Sequence, residues 1–278
     1  MKGKTSIAFS EPLPFFYHAE SERVLYVTHG PSPSPLVFSI GLKDVARHEL
    51  ICRGPVLTNA THDYVPEPMK NEPHSFMDLA SDVVIDGDVA WIVGMSKGKH
   101  DANDEQFKPL RGILVPMNLH TGKLAGPVIV APAAGGWLQS ALFGAAPHPE
   151  GVLATGYGCD KTCSTYRIET SLYSVDGVRT WFEHEADNAG LAYGSDVAFD
   201  GQGRALVSAA VTQNGKLRGY VFGREVGPPG VVLFQHWYPG AGPSEALGIV
   251  RDGFDRIFPV GYVTVNGETE ARVTRIHG

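Results

Sequence analysis

Much that would announce a chemistry is missing from this sequence. No stretch of 18 apolar residues occurs, so no segment reads as a membrane-spanning helix. The opening residues 1–6 (MKGKTS) are basic but lead into no apolar run, so no signal peptide is recognisable. The expectation is an extracytoplasmic protein if a leader has been removed and a cytoplasmic one otherwise. Charged residues make up only 19%, and acidic side chains outnumber basic ones 30 to 23, for a net charge of -7. A chain that binds nucleic acid through its phosphates needs a clustered positive surface, so no nucleic-acid partner is expected. No G-x-S-x-G elbow, Walker loop, dinucleotide fingerprint or H-E-x-x-H pair is found in a suitable context. There are three cysteines. Cys159 and Cys163 share a polar loop and read as a loop disulfide. A metal there would want two further ligands at matching spacing, which the neighbourhood lacks, and Cys52 reads as an inert buried thiol.

What the chain has in abundance is turn chemistry. It carries 33 glycines and 20 prolines in 278 residues. That composition suits many short strands joined by tight turns, and this length is common for one all-β domain. Residues 1–278 are therefore expected to form a single domain.

The strands recur in copies. Apolar, β-branched runs at 23–30, 89–96, 151–158, 204–211 and 256–263 each follow a strand ending in turn residues, such as Asp86-Gly87, Asp200-Gly201 and Asp252-Gly253. Asp-Gly between two alternating runs signals a hairpin, because glycine tolerates the positive φ such turns require. A third run follows each, at 36–42, 111–119, 167–175, 217–225 and 270–276. Four copies add a fourth run; the last stops without one. An orphan alternating strand, residues 4–10, stands at the other end of the chain. The economical architecture is an all-β, five-bladed β-propeller of four-stranded antiparallel blades, its ring closed by the N-terminal strand. Six blades would follow if residues 54–80 hid a degenerate copy; their polar, proline-bearing sequence reads instead as an insertion.

The last two copies, residues 195–222 and 236–276, carry a further pattern: a glycine-rich link (Gly240, Gly242), an acidic residue (Glu245), Asp252-Gly253 at the turn and Gly261 ending the second strand. This resembles the bacterial SBBP and delta-60 type of β-propeller repeat. The resemblance implies a propeller, often from exported or surface proteins, and implies no reaction.

In an up-and-down meander the 1–2 and 3–4 turns share one face of the ring. The 2–3 loops and the blade crossings share the other, which receives every long insertion: 54–80, 95–110 and 158–165. Long loops on a rigid scaffold are where binding usually resides. The candidate ligand-binding residues on this face are His62, Asp63 and His74 in the first insertion, His100 and Asp101 in the second, and Trp137 and Tyr193 in blade crossings, where either ring could stack on a sugar. Asp101 does not open an EF-hand loop, because Gln106 and Gly112 stand where glycine and glutamate are required. At the starts of the innermost strands, Asp82, Asp196 and Glu245 could hold Ca²⁺ or act as an acid/base pair, or could accept backbone hydrogen bonds that the repeat itself needs.

The expectation is a non-catalytic propeller that binds a small polar ligand, a glycan or a protein on the long-loop face over blades one to three, without an obligatory cofactor. The alternative is a hydrolase or lyase acting on a carbohydrate or similar polar substrate at the mouth of the central channel.

Overall fold

Runs of apolar residues bounded by glycine, asparagine and aspartate have become strands throughout, in the order the sequence sets them. The structure, a computed structural model, describes residues 78–97, 110–119, 124–131, 137–240, 242–254 and 256–276, with the backbone of four strands between residues 15 and 53. Strands β1 (Phe15–His18), β2 (Arg23–His29), β3 (Phe38–Asp44) and β4 (Glu49–Arg53) pair in sequence as the first sheet. The second holds β5 (Asp78–Asp86), β6 (Val89–Lys97), β7 (Leu110–Asn118) and β8 (Ile129–Val130). The third holds β9 (Gln139–His148), β10 (Gly151–Cys159), β11 (Tyr166–Ser174) and β12 (Arg179–Asn188). The fourth holds β13 (Ala192–Phe199), β14 (Ala205–Gln213), β15 (Lys216–Arg224) and β16 (Val232–Trp237). A terminal sheet has three strands, β17 (Ser244–Arg251), β18 (Ile257–Val265) and β19 (Glu268–Val273).

Every pairing is antiparallel between sequence neighbours. Each first strand also lies against the sheet before it: β9 on β5, β6 and β7, β13 on β9, β10 and β11, and β17 on β13, β14 and β15. Four-stranded meanders stacked face to face with their first strands innermost are blades of a β-propeller. Residues 4–10 and 54–77 lie outside the described residues, so the expected closing strand and most of the first insertion do too; residues 78–80, expected as the end of that insertion, belong to β5.

Stacking explains the burial. A second strand packs between two neighbouring blades, so β10 and β14 are almost wholly buried and read as continuous apolar runs. The outer strand β16 alternates between half-buried and exposed residues. Separate apolar clusters fill the gaps between sheets. Trp91, Leu114, Leu142 and Tyr173 lie between the second and third sheets, Trp181, Leu153, Val207 and Phe222 between the third and fourth, and Leu206, Val221, Ile249 and Val263 beyond the fourth. Trp91 and Trp181 thus pack between sheets, as tryptophans on such strands should. Trp237 stays on the outside, against Tyr220 at 4.4 Å between ring centroids.

The hairpins owe less to Asp-Gly φ angles than the sequence suggests. Gly87 has φ +54°, but the fourth sheet places its positive φ at Gly203 rather than Gly201. Asp200 instead organises its turn by side chain: Oδ1 accepts the Gln202 and Arg204 amides, each at 2.9 Å, and Oδ2 pairs with Arg204 Nε. Asp252 does the same for Phe254 and Arg256. On the opposite face Asn214-Gly215 and Asn266-Gly267 turn with both residues at positive φ, the type I′ geometry that suits a two-residue hairpin.

Candidate functional site at the channel mouth

One irregularity, repeated four times, builds the site. Each innermost strand from β5 onward carries a β-bulge, where register jumps over one residue: Ser81, Phe143, Ser195 and Leu247. A bulge re-aims the extra side chain, and all four bulged residues line one cavity of about 500 Å³. In the third sheet the bulge forces glycine on its neighbour strand, because a Cβ on Gly156 would stand 1.9 Å from the Ala141 carbonyl oxygen. Gly261 faces the Glu245 carbonyl at the same distance. The small residues that end the second strands thus answer a bulge.

The remaining wall is largely aromatic. Tyr157 comes from the end of β10, Tyr166 from the start of β11, and Leu191 and Tyr193 from the entry to the fourth sheet. Consecutive rings touch: Tyr193 meets Phe143 at 5.8 Å edge-on, Phe143 meets Tyr157 at 5.7 Å, and Tyr157 meets Tyr166 at 5.5 Å. Phe143 and Tyr157 also pack against a buried apolar cluster of Met95, Leu110 and Ala141. Burial pushes the Tyr157 hydroxyl up to about 12, and burial together with the Glu245 hydrogen bond pushes Tyr193 higher. Both stay protonated donors at neutral pH.

The channel carboxylates point elsewhere. Asp82 Oδ1 accepts its neighbour's amide from Val83 at 2.7 Å, and Oδ2 accepts that of Ala145, on the third sheet, at 3.1 Å. Asp196 repeats this two blades later, with Val197 at 2.7 Å and Ile249 of the terminal sheet at 2.9 Å. Counted from the bulge, one position is occupied by Asp82, Gly144, Asp196 and Gly248 in turn, so each aspartate reaches across a glycine-bearing strand. A Cβ on Gly144 would sit 2.5 Å from the Asp196 Cα. Each carboxylate is therefore a staple between sheets. Burial raises the Asp82 pKa, and burial plus the nearby Asp82 charge raises Asp196 to about 7, against the pull of its two amides.

Glu245 does not share that register. It lies three positions before Gly248 and is the equivalent of Tyr193, not of Asp196. Its carboxylate accepts the hydroxyls of Tyr193 at 2.8 Å and Tyr262 at 2.5 Å, clamping a cavity-wall ring in place. Ser140 and Ser244, one step earlier, accept the Gly112 and Gly219 amides from the preceding sheets at 3.1 and 2.9 Å.

Of the other sequence candidates, Trp137 holds the Arg167 guanidinium 4.5 Å above its ring and is not part of the cavity wall. His62, Asp63, His74, His100 and Asp101 lie outside the described residues. Cys159 and Cys163 are joined as a disulfide, with Cα atoms 4.9 Å apart. The loop they close is also tied by Asp160, whose Oδ1 accepts the Thr162 and Ser164 amides, and it leads directly into Tyr166. Among the described residues no group of three or more His, Cys, Asp or Glu side chains is placed to hold a metal ion, and no helix is long and apolar enough to cross a membrane. The sequence reading missed Phe143, Tyr157, Tyr166, Leu191 and Leu247 as wall residues. For Phe143 and Leu247 the signal was the register offset that a bulge produces, which is visible only once the pairing partners are known.

Comparison with known proteins adds little. No protein-family model and no curated protein match the chain. Among solved structures, a putative hydrolase from Bacteroides ovatus ATCC 8483 is similar with a TM-score of 0.38 and 10% identity, covering 90% of this chain and 78% of that one. At that distance the likeness transfers no activity.

Proposed function

We propose that this chain is a non-catalytic binding propeller whose ligand enters the aromatic mouth on the long-loop face. The observation that carries the reading is a division of labour. The wall of the cavity bears no charged side chain among the described residues, while Asp82 and Asp196 spend both oxygens on backbone amides. A preformed concave site with an apolar wall and a few hydroxyls is the usual form of a small-molecule site. The ring that presents it has five blades. In this proposal residues 4–10 would complete the three-stranded terminal sheet, as SBBP-type repeats at 195–222 and 236–276 would allow.

A thermal-shift screen on the full chain tests the reading, since a ligand that binds only the folded state raises its melting temperature. Hits should lose their effect in Tyr193→Ala, which removes a wall ring. Hits that persist there would place the ligand elsewhere.

One observation favours the second reading, a hydrolase or lyase on a polar substrate. An Asp196 poised near 7 beside Asp82 has the perturbed ionisation that active sites use. Turnover of a chromogenic glycoside that is abolished in Asp196→Asn while binding survives would favour it over the binding module.

A further inference from the structure

We infer that the mouth takes the uncharged pyranose ring of a neutral sugar, an inference that rests on the reading of the mouth as the binding site. Its described wall combines five hydroxylated residues, three tyrosines and two serines, with Phe143, Leu191 and Leu247. Nothing on it could pair with an anion, and burying an unpaired charge costs several kcal/mol or more. A cationic ligand fares no better, because the nearby carboxylates are already engaged. Asp82 and Asp196 turn to the backbone of the next sheet, and the Glu245 oxygens carry two tyrosine hydroxyls.

A purely apolar ligand is disfavoured by Ser195. Its Oγ is buried and has no hydrogen-bond partner among the described residues, yet the residue lines the cavity. Where it stands the hydroxyl is unsatisfied, and a rotation about χ1 that turns it into the cavity finds a partner in a ligand hydroxyl but none in hydrocarbon. The occupant must therefore be neutral, apolar on one face and hydroxylated at its rim. A pyranose has this form, with axial C–H bonds on one face and hydroxyls around the edge.

The wall is also held ready. From Tyr193 to Tyr166 the rings brace one another at interplanar angles of 79°, 47° and 62°. Tyr193 is fixed from behind by Glu245, and Tyr166 follows the disulfide-closed loop. Little ordering remains to be done when a ligand arrives, which favours affinity for a small ring. A cavity of about 500 Å³ has room for a mono- or disaccharide.

The test is calorimetric titration of the full chain with methyl glycosides of glucose, galactose, mannose, xylose and N-acetylglucosamine. Glucuronic acid and glucosamine serve as charged counterparts, and p-cresol as a neutral probe without a sugar rim. At least one neutral glycoside should bind, and its charged counterpart should bind at least about tenfold more weakly. Ser195→Ala should weaken that glycoside roughly five- to tenfold, and Leu247→Trp, which fills the cavity from a bulge position, should abolish binding. Equal or tighter binding of the charged sugars overturns the inference, as does glycoside binding that survives Leu247→Trp. Binding of p-cresol alone, lost in Leu247→Trp, removes the sugar and leaves the site. If no probe binds at all, both readings fall.

Discussion

Replacing Asp196 by asparagine should flatten the dependence of stability on pH. In the folded chain the carboxyl titrates near 7, against 3.8 for the free group. Between those values the native state holds a proton that the unfolded state has released, so stability falls as pH rises through the native pKa. Each pKa unit is worth about 1.4 kcal/mol. A shift of roughly three units therefore spans on the order of 4 kcal/mol, of which about 2–3 kcal/mol falls between pH 5 and 8. The asparagine side chain carries no titrating proton. It keeps one acceptor and turns an amide group toward either the Val197 or the Ile249 N–H, losing roughly 1–3 kcal/mol at every pH. Urea denaturation at pH 5, 6, 7 and 8, followed by tryptophan fluorescence, separates the two effects. The variant should be clearly weaker than the parent at pH 5, and the gap should narrow by about 2–3 kcal/mol by pH 8. Because Asp82 titrates beside Asp196, the slope belongs partly to the pair, and Asp82→Asn should also reduce it. Parallel stability curves for parent and Asp196→Asn would refute the account of the buried staple.

Three further outcomes follow from the same geometry. Gly156→Ala sets a methyl group against the Ala141 carbonyl oxygen at 1.9 Å and should cost roughly 1–3 kcal/mol or more; an unchanged urea midpoint would mean the bulge tolerates a side chain. Asp200→Ala frees two turn amides and the Arg204 partner, for a loss of about 1–2 kcal/mol in thermal or urea unfolding. Its pH sign is opposite to that of Asp196. Burial would raise the Asp200 pKa, but hydrogen bonds from Arg204 and Gln202 hold it below its ordinary value, so its contribution is present above about pH 4 and disappears as the folded pKa is passed on acidification. Removing residues 1–10 should lower the melting temperature by several degrees, since β19 would lose the strand proposed to pair with its exposed edge; an unaltered melting curve would argue against closure by that segment.

The strands were legible because their signals are local. The runs read at 151–158, 204–211 and 256–263 are the cores of β10, β14 and β18. Asn266-Gly267 turns as its composition dictates. The site was less legible. Asp82, Asp196 and Tyr193 were singled out, and all three lie at or beside the mouth. Glu245 was matched to the aspartates because serine-acid pairs look alike in sequence, but it lies two residues before its bulge, whereas Asp82 and Asp196 lie one residue after theirs. Tyr157 read as an ordinary strand residue, and Tyr166 fell between the loop at 158–165 and the run at 167–175. They became wall residues because the third sheet stands where β13 of the next brings Tyr193 against Phe143.

Alternation, glycine content and turn residues determined by themselves that this chain is all-β and built as repeated antiparallel meanders, because strand period and turn φ are properties of a few adjacent residues. Only the tertiary structure decided where charge and ring would go. From β5 onward a bulge turns one side chain per innermost strand to the cavity. Asp82 and Asp196 find amides in the next sheet rather than a substrate, and hydroxyls and rings from five strands meet at one mouth. Those relations join residues about 50 or more positions apart in the chain, and no local pattern encodes such a distance.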